Sequence, residues 1–84
     1  MLAVSRRAGE QVLIEDVTLT VDEIQPGSVQ MSLRKGDSHP VIVTLKPSQF
    51  VAACYNVRIG VVRVQGDRVR LGFEIPSTVK IARL

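Results

Sequence analysis

The chain of 84 residues is long enough for one compact domain with a thin core, and its formal net charge is +3. Its apolar residues are mostly Val, Ile and Leu, and only three residues are aromatic, which favours strands over helices. The absence of a run of about 18 apolar residues excludes a transmembrane helix, and the polar sequence after the first basic residues excludes a signal peptide. A single cysteine, Cys54, cannot form an internal disulfide, so we expect a cytoplasmic protein.

The first part of the chain alternates apolar and polar residues with a period of two, as strands do. A first strand is predicted over residues 2–14, continuing past a bend or bulge at Gly9. A hairpin is predicted over residues 17–33, because Pro26-Gly27-Ser28 has the composition of a turn.

The middle of the chain predicts a loop over residues 35–40, a short strand over residues 41–45 and then one short helix around 47–55. Pro47 suits the first position of a helix, and Asn56 suits its end. This segment is the only helix that the sequence predicts.

A second hairpin is predicted over residues 57–73, with a turn at Gln65-Gly66-Asp67 and a slip of the apolar phase at Val61-Val62, as at a bulge. Pro76 interrupts the pattern, and residues 79–84 predict a last strand. The two hairpins follow one plan, which indicates an internal duplication. The sequence therefore predicts one domain, residues 1–84, of mostly antiparallel all-β structure.

Charge is unevenly distributed along the chain. Residues 1–10 carry +1, residues 11–55 carry −2 and residues 56–84 carry +4. If the two basic ends meet in the fold, they form a cationic patch that attracts phosphate groups.

Two motifs resemble those of the carbon storage regulator (CsrA/RsmA) family. The opening Ser5-Arg6-Arg7-Ala8-Gly9-Glu10 is similar to the family's first strand, which reads Thr/Ser-Arg-Arg-x-Gly-Glu. Residues 64–76, which contain Gly66-Asp67-Arg68-Val69-Arg70-Leu71-Gly72, resemble its central hairpin, and residues 77–83 resemble its last strand. Together these segments cover about half of the chain.

The resemblance implies an RNA-binding post-transcriptional regulator of a bacterial cytoplasm, which represses translation or changes mRNA stability. Its members bind GGA-containing single-stranded loops of mRNA leaders or small regulatory RNAs, as homodimers with interleaved strands. Each RNA site joins the first strand of one protomer to the last strand of the other. The residues implied to line the site here are Val4, Ser5, Arg6, Arg7, Ile81, Ala82 and Arg83.

The length between the two motif blocks is unusual for the family and allows two interpretations. In one, residues 1–55 are a first copy and residues 56–84 a truncated second copy, so that the chain is a single-chain pseudo-dimer with one working RNA site. In the other, a single family domain carries a long insertion and forms a homodimer. The sequence alone leaves both open.

Two departures from the family pattern put RNA specificity in question. Ala82 stands where the family usually has His, and Leu84 stands where it has Glu. An alternative function is therefore a diverged protein-interaction module that pairs with a CsrA-type protein or a regulator and no longer binds RNA. No catalytic constellation, nucleotide fingerprint or metal-ligand spacing is present, and His39 stands alone, so neither an enzyme nor a cofactor or metal site is expected.

Overall fold

The computed structural model describes all 84 residues and contains nine strands and no helix, which confirms the all-β prediction. Sheet A has the strand order β1-β8-β7-β6, and sheet B has the order β5-β4-β3-β2-β9, with neighbouring strands antiparallel throughout. The strands are β1 Leu2–Arg7, β2 Gln11–Ile14, β3 Val17–Gln25, β4 Ser28–Lys35, β5 Val41–Leu45, β6 Phe50–Ala52, β7 Arg58–Gln65, β8 Arg68–Glu74 and β9 Ile81–Arg83.

The structure holds no helix of the length and hydropathy that a membrane span requires.

The short helix predicted around residues 47–55 is wrong. Phe50–Ala52 form strand β6, which pairs with β7, and Pro47 bridges Val61. Tyr55 and Asn56 have positive φ and make a turn instead of continuing a helix. Helix propensity over such a short segment is weak, and pairing with β7 satisfies its backbone groups equally well.

The first strand also differs from its prediction, because the chain changes sheets at Gly9. β1 ends at Arg7 in sheet A, and β2 begins at Gln11 in sheet B. Gly9 has a φ of 87°, which a glycine adopts without strain, and its N–H donates to the carbonyl of Val21 at 2.7 Å. The bend is therefore a corner between the two sheets of a sandwich.

Both predicted hairpins are present, as β3–β4 and β7–β8. The phase slip at Val61-Val62 is confirmed as a bulge, since the β7–β8 register shifts between Val61 and Arg63. The β3–β4 register shifts in the same way between Val21 and Glu23. The two bulges lie 40 residues apart, as the two hairpins do.

One apolar core is shared by the two sheets. Phe73 and Leu71 of sheet A and Leu19 of sheet B are fully buried in a cluster that includes residues from most strands. Removing a side chain of this size from water contributes about 2 to 3 kcal/mol. No charged or polar side chain is buried, so the core depends on aliphatic packing alone.

The strands β1–β4 and β5–β8 form two sets with the same plan. β1 pairs with β8 as β5 pairs with β4, and β2 pairs with β3 as β6 pairs with β7. Residues of the second set follow their counterparts by 39 or 40 positions, so that Val12 corresponds to Val51 and Val29 to Val69. Strand β9 has no counterpart, and this breaks the internal symmetry.

Candidate nucleic-acid interface

The two terminal strands leave free edges at the same corner of the molecule. β1 pairs only with β8, and β9 pairs only with β2. Three residues separate the end of β1 from the start of β2. The Leu84 N–H donates to the carbonyl of Gln11 at 3.3 Å, so the end of β9 lies beside the corner at which β1 ends. The backbone groups on these outer edges have no strand partner and can pair with the edges of single-stranded bases.

Arg6 and Arg83 occupy inward-facing positions of these two edge strands. Arg6 lies opposite buried Val69, and Arg83 lies opposite buried Val12. Both arginines therefore belong to the faces by which the sheets approach each other, at the open margin of the core. The guanidinium Nε of Arg6 donates to the carbonyl of Ser5 at 2.8 Å, which holds the side chain along β1.

The remaining residues that the sequence predicts for this site divide by face. Val4 is buried in the core, and Ile81 is half-buried against it. Ser5 and Arg7 are exposed on the outer face of sheet A, and Ala82 is exposed opposite Leu13. The structure thus places the seven residues on the edge strands of the two sheets, with Val4 and Ile81 packed on the core side.

Two carboxylates hold this corner in shape. Glu10 Oε1 accepts a hydrogen bond from the Arg7 N–H at 2.7 Å, which closes the corner. Glu15 Oε1 accepts one from the Lys80 N–H at 3.0 Å, and the Glu15 N–H donates to the Lys80 carbonyl at 3.0 Å, which fixes the start of β9. The sequence alone does not predict this role of Glu15, because nothing local to residue 15 indicates a partner 65 positions away.

A row of arginines lies on the outer face of sheet A and begins beside β1. Arg70 lies between Ser5 of β1 and Arg63 of β7, and Arg68 lies beside Arg7. All four arginines are exposed. Arg7 pairs with Asp67 at 3.4 Å, but the other three form no ion pair. This face therefore presents cationic charge next to the free edge of β1.

The corresponding face of sheet B is not basic. Forty positions before Arg63, Arg68 and Arg70 stand Glu23, Ser28 and Gln30, which hold the same register in the β3–β4 hairpin. The two hairpins have the same backbone register, so the difference in charge between the two faces comes from the side chains alone. The basic character of the molecule is concentrated on one of two equivalent faces.

The second corner of the molecule repeats the backbone geometry without the arginines. The Lys46 N–H donates to Gln49 Oε1 at 2.8 Å, as the Arg7 N–H donates to Glu10. Leu45 occupies the position of Arg6 and is buried, and β6 has no strand on its outer edge. This corner has neither the paired arginines nor the terminal strand of the first.

No group of three or more His, Cys, Asp or Glu side chains lies close enough together to hold a metal ion. The geometry offers free strand edges, an arginine on each of the two edge strands and a cationic face, all of which suit an anionic polymer with exposed bases.

One of three comparisons with known proteins identifies a family. Residues 41–84, which run from β5 to the last residue, match the model of the CsrA global regulator protein family. No curated protein and no solved structure matches the chain. Since the match covers more than half of the 84 residues, the chain belongs to the CsrA family of global regulators.

Proposed function

We propose that this protein is a cytoplasmic, sequence-selective RNA-binding regulator that acts on translation or mRNA stability and has no enzymatic activity. The observation that carries the proposal is the placement of Arg6 and Arg83 at inward-facing positions of the two edge strands β1 and β9. An arginine fork bonds the O6 and N7 atoms of guanine or two phosphate oxygens at once, which suits GGA-containing loops.

The seven residues proposed to form the RNA site have separate roles. The edges of β1 and β9 read bases through their backbone groups, with Val4 and Ile81 as support from below. Arg6 on β1 and Arg83 on β9 bind guanine or phosphate. Arg7 binds phosphate on the outer face of sheet A. Ser5 contributes a hydroxyl, whereas Ala82 offers no polar side chain, so selectivity here depends on backbone groups and arginines.

We further propose that the chain is a single-chain pseudo-dimer, with its internal boundary near Pro40-Val41 instead of residue 55. Two observations support this boundary: β5 corresponds to β1 by strand pairing, and the family match begins at residue 41. In this arrangement the first copy lacks a last strand. Only one corner then has both edge strands and the arginines, which implies one RNA site per chain.

The test is a stoichiometric titration of a fluorescent RNA hairpin with a GGA loop, beside a hairpin with a scrambled loop, at near-physiological salt. We expect saturation at one RNA per chain, with light scattering giving a free protein mass near 9.2 kDa. Arg83→Ala is expected to weaken binding about tenfold or more while Arg34→Ala, on the far sheet, has little effect. Equal and salt-sensitive binding of both hairpins contradicts the proposal.

A further inference from the structure

Strand β6 forms an edge of sheet A. Its counterpart β2 has the additional strand β9 on its outer side, whereas β6 has no such neighbour. We propose that this edge binds an extended strand of a partner protein, with apolar side chains at alternate positions and acidic instead of basic charge. The proposed site lies at the second corner, away from the arginines, and it does not depend on RNA binding.

The backbone of β6 is oriented for such an addition. The Ala53 N–H donates to the Val57 carbonyl at 2.8 Å, and Val51 pairs with Ile59. Because hydrogen-bonding groups alternate between the two sides of a strand, the N–H and C=O groups of Ala52 point to the free edge. An edge of this kind takes up an extended peptide through main-chain hydrogen bonds.

An apolar groove of about 400 Å³ runs beside this edge, between β6 and β5. Eight of its eleven lining residues are hydrophobic, and Val43, Val51 and Ala53 are among them. Val41 lies at its rim with 61% of its surface exposed. The half-buried Cys54 thiol also faces the groove, and burial raises its pKa, which keeps it neutral. The groove is therefore suited to apolar side chains.

The molecule contains a template for the occupant. At the first corner β9 lies antiparallel to β2, with Ile81 opposite Ile14 and Ala82 opposite Leu13. Val79 and Ile81 pack against the core from there. The counterparts of Leu13 and Ile14 at the second corner are Ala52 and Ala53, which are smaller. The groove beside β6 thus has room for a strand of the β9 type with equal or larger apolar side chains.

Charge distinguishes the occupant from β9 itself. β9 and its approach carry Lys80 and Arg83, and the acidic turn residue Glu15 accepts a hydrogen bond from the Lys80 backbone N–H. The counterparts of Glu15 and Asp16 are Tyr55 and Asn56, which are uncharged. The basic residues that line the groove are Lys35 and His39, and no acidic residue lines it. Lys35 also pairs with exposed Asp16 at 3.6 Å, outside the groove lining. A strand with acidic side chains therefore complements this lining better than the basic β9 of a second copy does.

The experiment uses the full chain and synthetic nine-residue peptides that copy Pro76–Leu84. The acidic peptide carries Lys80→Glu and Arg83→Glu. The basic peptide has the natural sequence, and a third peptide adds Val79→Ser and Ile81→Ser to the acidic one. We expect the acidic peptide to bind at least about tenfold more tightly than the other two, a difference of about 1.4 kcal/mol. In ¹⁵N NMR spectra the amides of β5 and β6 shift, and those of β2 do not.

Two protein variants locate the binding. Ala52→Pro removes an N–H that points to the free edge, so it blocks strand addition while the β6–β7 pairing is kept. Val41→Glu places a carboxylate at the groove rim and is expected to weaken binding of the acidic peptide about tenfold. Ile42→Glu is the matched control, because Ile42 is 56% exposed on the opposite face of β5 and does not line the groove.

Three results would overturn the proposal. The first is no binding of the acidic peptide at concentrations up to about 1 mM. The second is binding that survives both Ala52→Pro and Val41→Glu in proteins with unchanged circular dichroism. The third is a concentration-dependent dimer in light scattering that Val41→Glu abolishes and Ile42→Glu does not, because the groove is then filled by a second copy.

Discussion

Gly9 and Ser48 hold the same place at the two corners of the molecule. Gly9 has a φ of 87° and Ser48 a φ of 73°, and each donates its backbone N–H at 2.7 Å, to the carbonyls of Val21 and Val61 respectively. Glycine adopts positive φ freely, whereas serine does so at a cost. One corner is therefore relaxed, and its counterpart is strained.

This difference predicts opposite sensitivities at the two corners. Ser48→Gly relieves the strain but increases the entropy of the unfolded chain, so we expect the free energy of unfolding to stay within about 1 kcal/mol. Gly9→Val places a β-branched residue at positive φ and is expected to lower it by about 1 to 3 kcal/mol. Urea denaturation measures both, and an equal loss in the two variants would contradict this account.

The two corners also provide a matched test of the proposed RNA site. Arg7→Ala and Lys46→Ala each remove one cation whose backbone N–H closes the same type of corner. We expect Arg7→Ala to weaken binding of the GGA hairpin by about 1 to 3 kcal/mol and Lys46→Ala to have little effect. Fluorescence anisotropy at one fixed salt concentration makes the comparison. Equal losses would indicate that both corners bind RNA.

The arginine row on sheet A is expected to control the salt dependence of binding. Arg70→Gln introduces the residue that sheet B has at the equivalent position, Gln30, and so preserves the strand. If Arg70 contacts one phosphate, the slope of log affinity against log salt becomes shallower by about 1, with the preference for the GGA loop unchanged. Gln30→Ala is the control on the other face. A change in loop preference would instead assign Arg70 to base recognition.

Gly60 is required for close packing on the outer face of sheet A. The Phe50 ring lies directly over it, and a Cβ added at Gly60 would overlap that ring. We expect Gly60→Ala to lower the free energy of unfolding by about 1 to 3 kcal/mol. Gly27→Ala is the control, because a Cβ there meets no atom within 4 Å.

A double variant separates this packing effect from the loss of a glycine as such. In a Phe50→Ala background, the cost of Gly60→Ala is expected to fall, since the clashing ring is gone. Thermal denaturation of the unmodified protein, the two single variants and the double variant gives the coupling free energy between residues 50 and 60. A cost that does not depend on residue 50 would rule out the ring as its cause.

The two turns that correspond to each other meet through Asp16, Tyr55 and Lys35. The Tyr55 hydroxyl donates to the Asp16 carboxylate, and this bond is the main reason that the Asp16 pKa is below 3.8. A carboxylate with a lowered folded-state pKa stabilises the fold above its unfolded pKa, and that contribution is lost as the pH falls through the folded value. The contact therefore weakens in acid.

Removing the Tyr55 hydroxyl tests this cause. In Tyr55→Phe we expect the Asp16 pKa to rise toward 3.8, as measured by NMR titration of the carboxyl carbon. Lys35→Met is expected to raise it less, because Lys35 is a smaller cause of the lowering and lies 3.6 Å away on an exposed surface. A larger rise in Lys35→Met would reverse this order of causes.

The period-two pattern was sufficient to predict the two hairpins, the strand over residues 41–45 and the bulge at Val61-Val62. It failed at the corners, where an apolar run is shared between two sheets and local sequence does not say which strand pairs with which. The helix prediction around residues 47–55 is wrong because Ala and Cys are poor indicators of strand. One pattern in the sequence does mark both corners. In Arg7-x-x-Glu10 and in Lys46-x-x-Gln49, 39 residues apart, the backbone N–H of the first residue donates to the side chain three residues later.

The site itself was predicted from its resemblance to the family more than from its chemistry. The sequence pointed to arginines at both ends, but only the strand order shows that Arg6 and Arg83 lie on edge strands of the two sheets. The role of Glu15 depends on a hydrogen bond between residues 65 positions apart, which no local pattern reveals. The contrast between the two sheet faces requires the register of both hairpins.

The distant pairing of the terminal strands has a consequence for the order of folding. The hairpins β3–β4 and β7–β8 join neighbouring segments, but Leu2 pairs with Phe73 and Ile81 with Ile14. Loops of this length close slowly relative to hairpins, so we expect the hairpins to form early and the terminal strands to dock late. The corner that we propose to bind RNA is therefore completed late in folding, after both hairpins have formed.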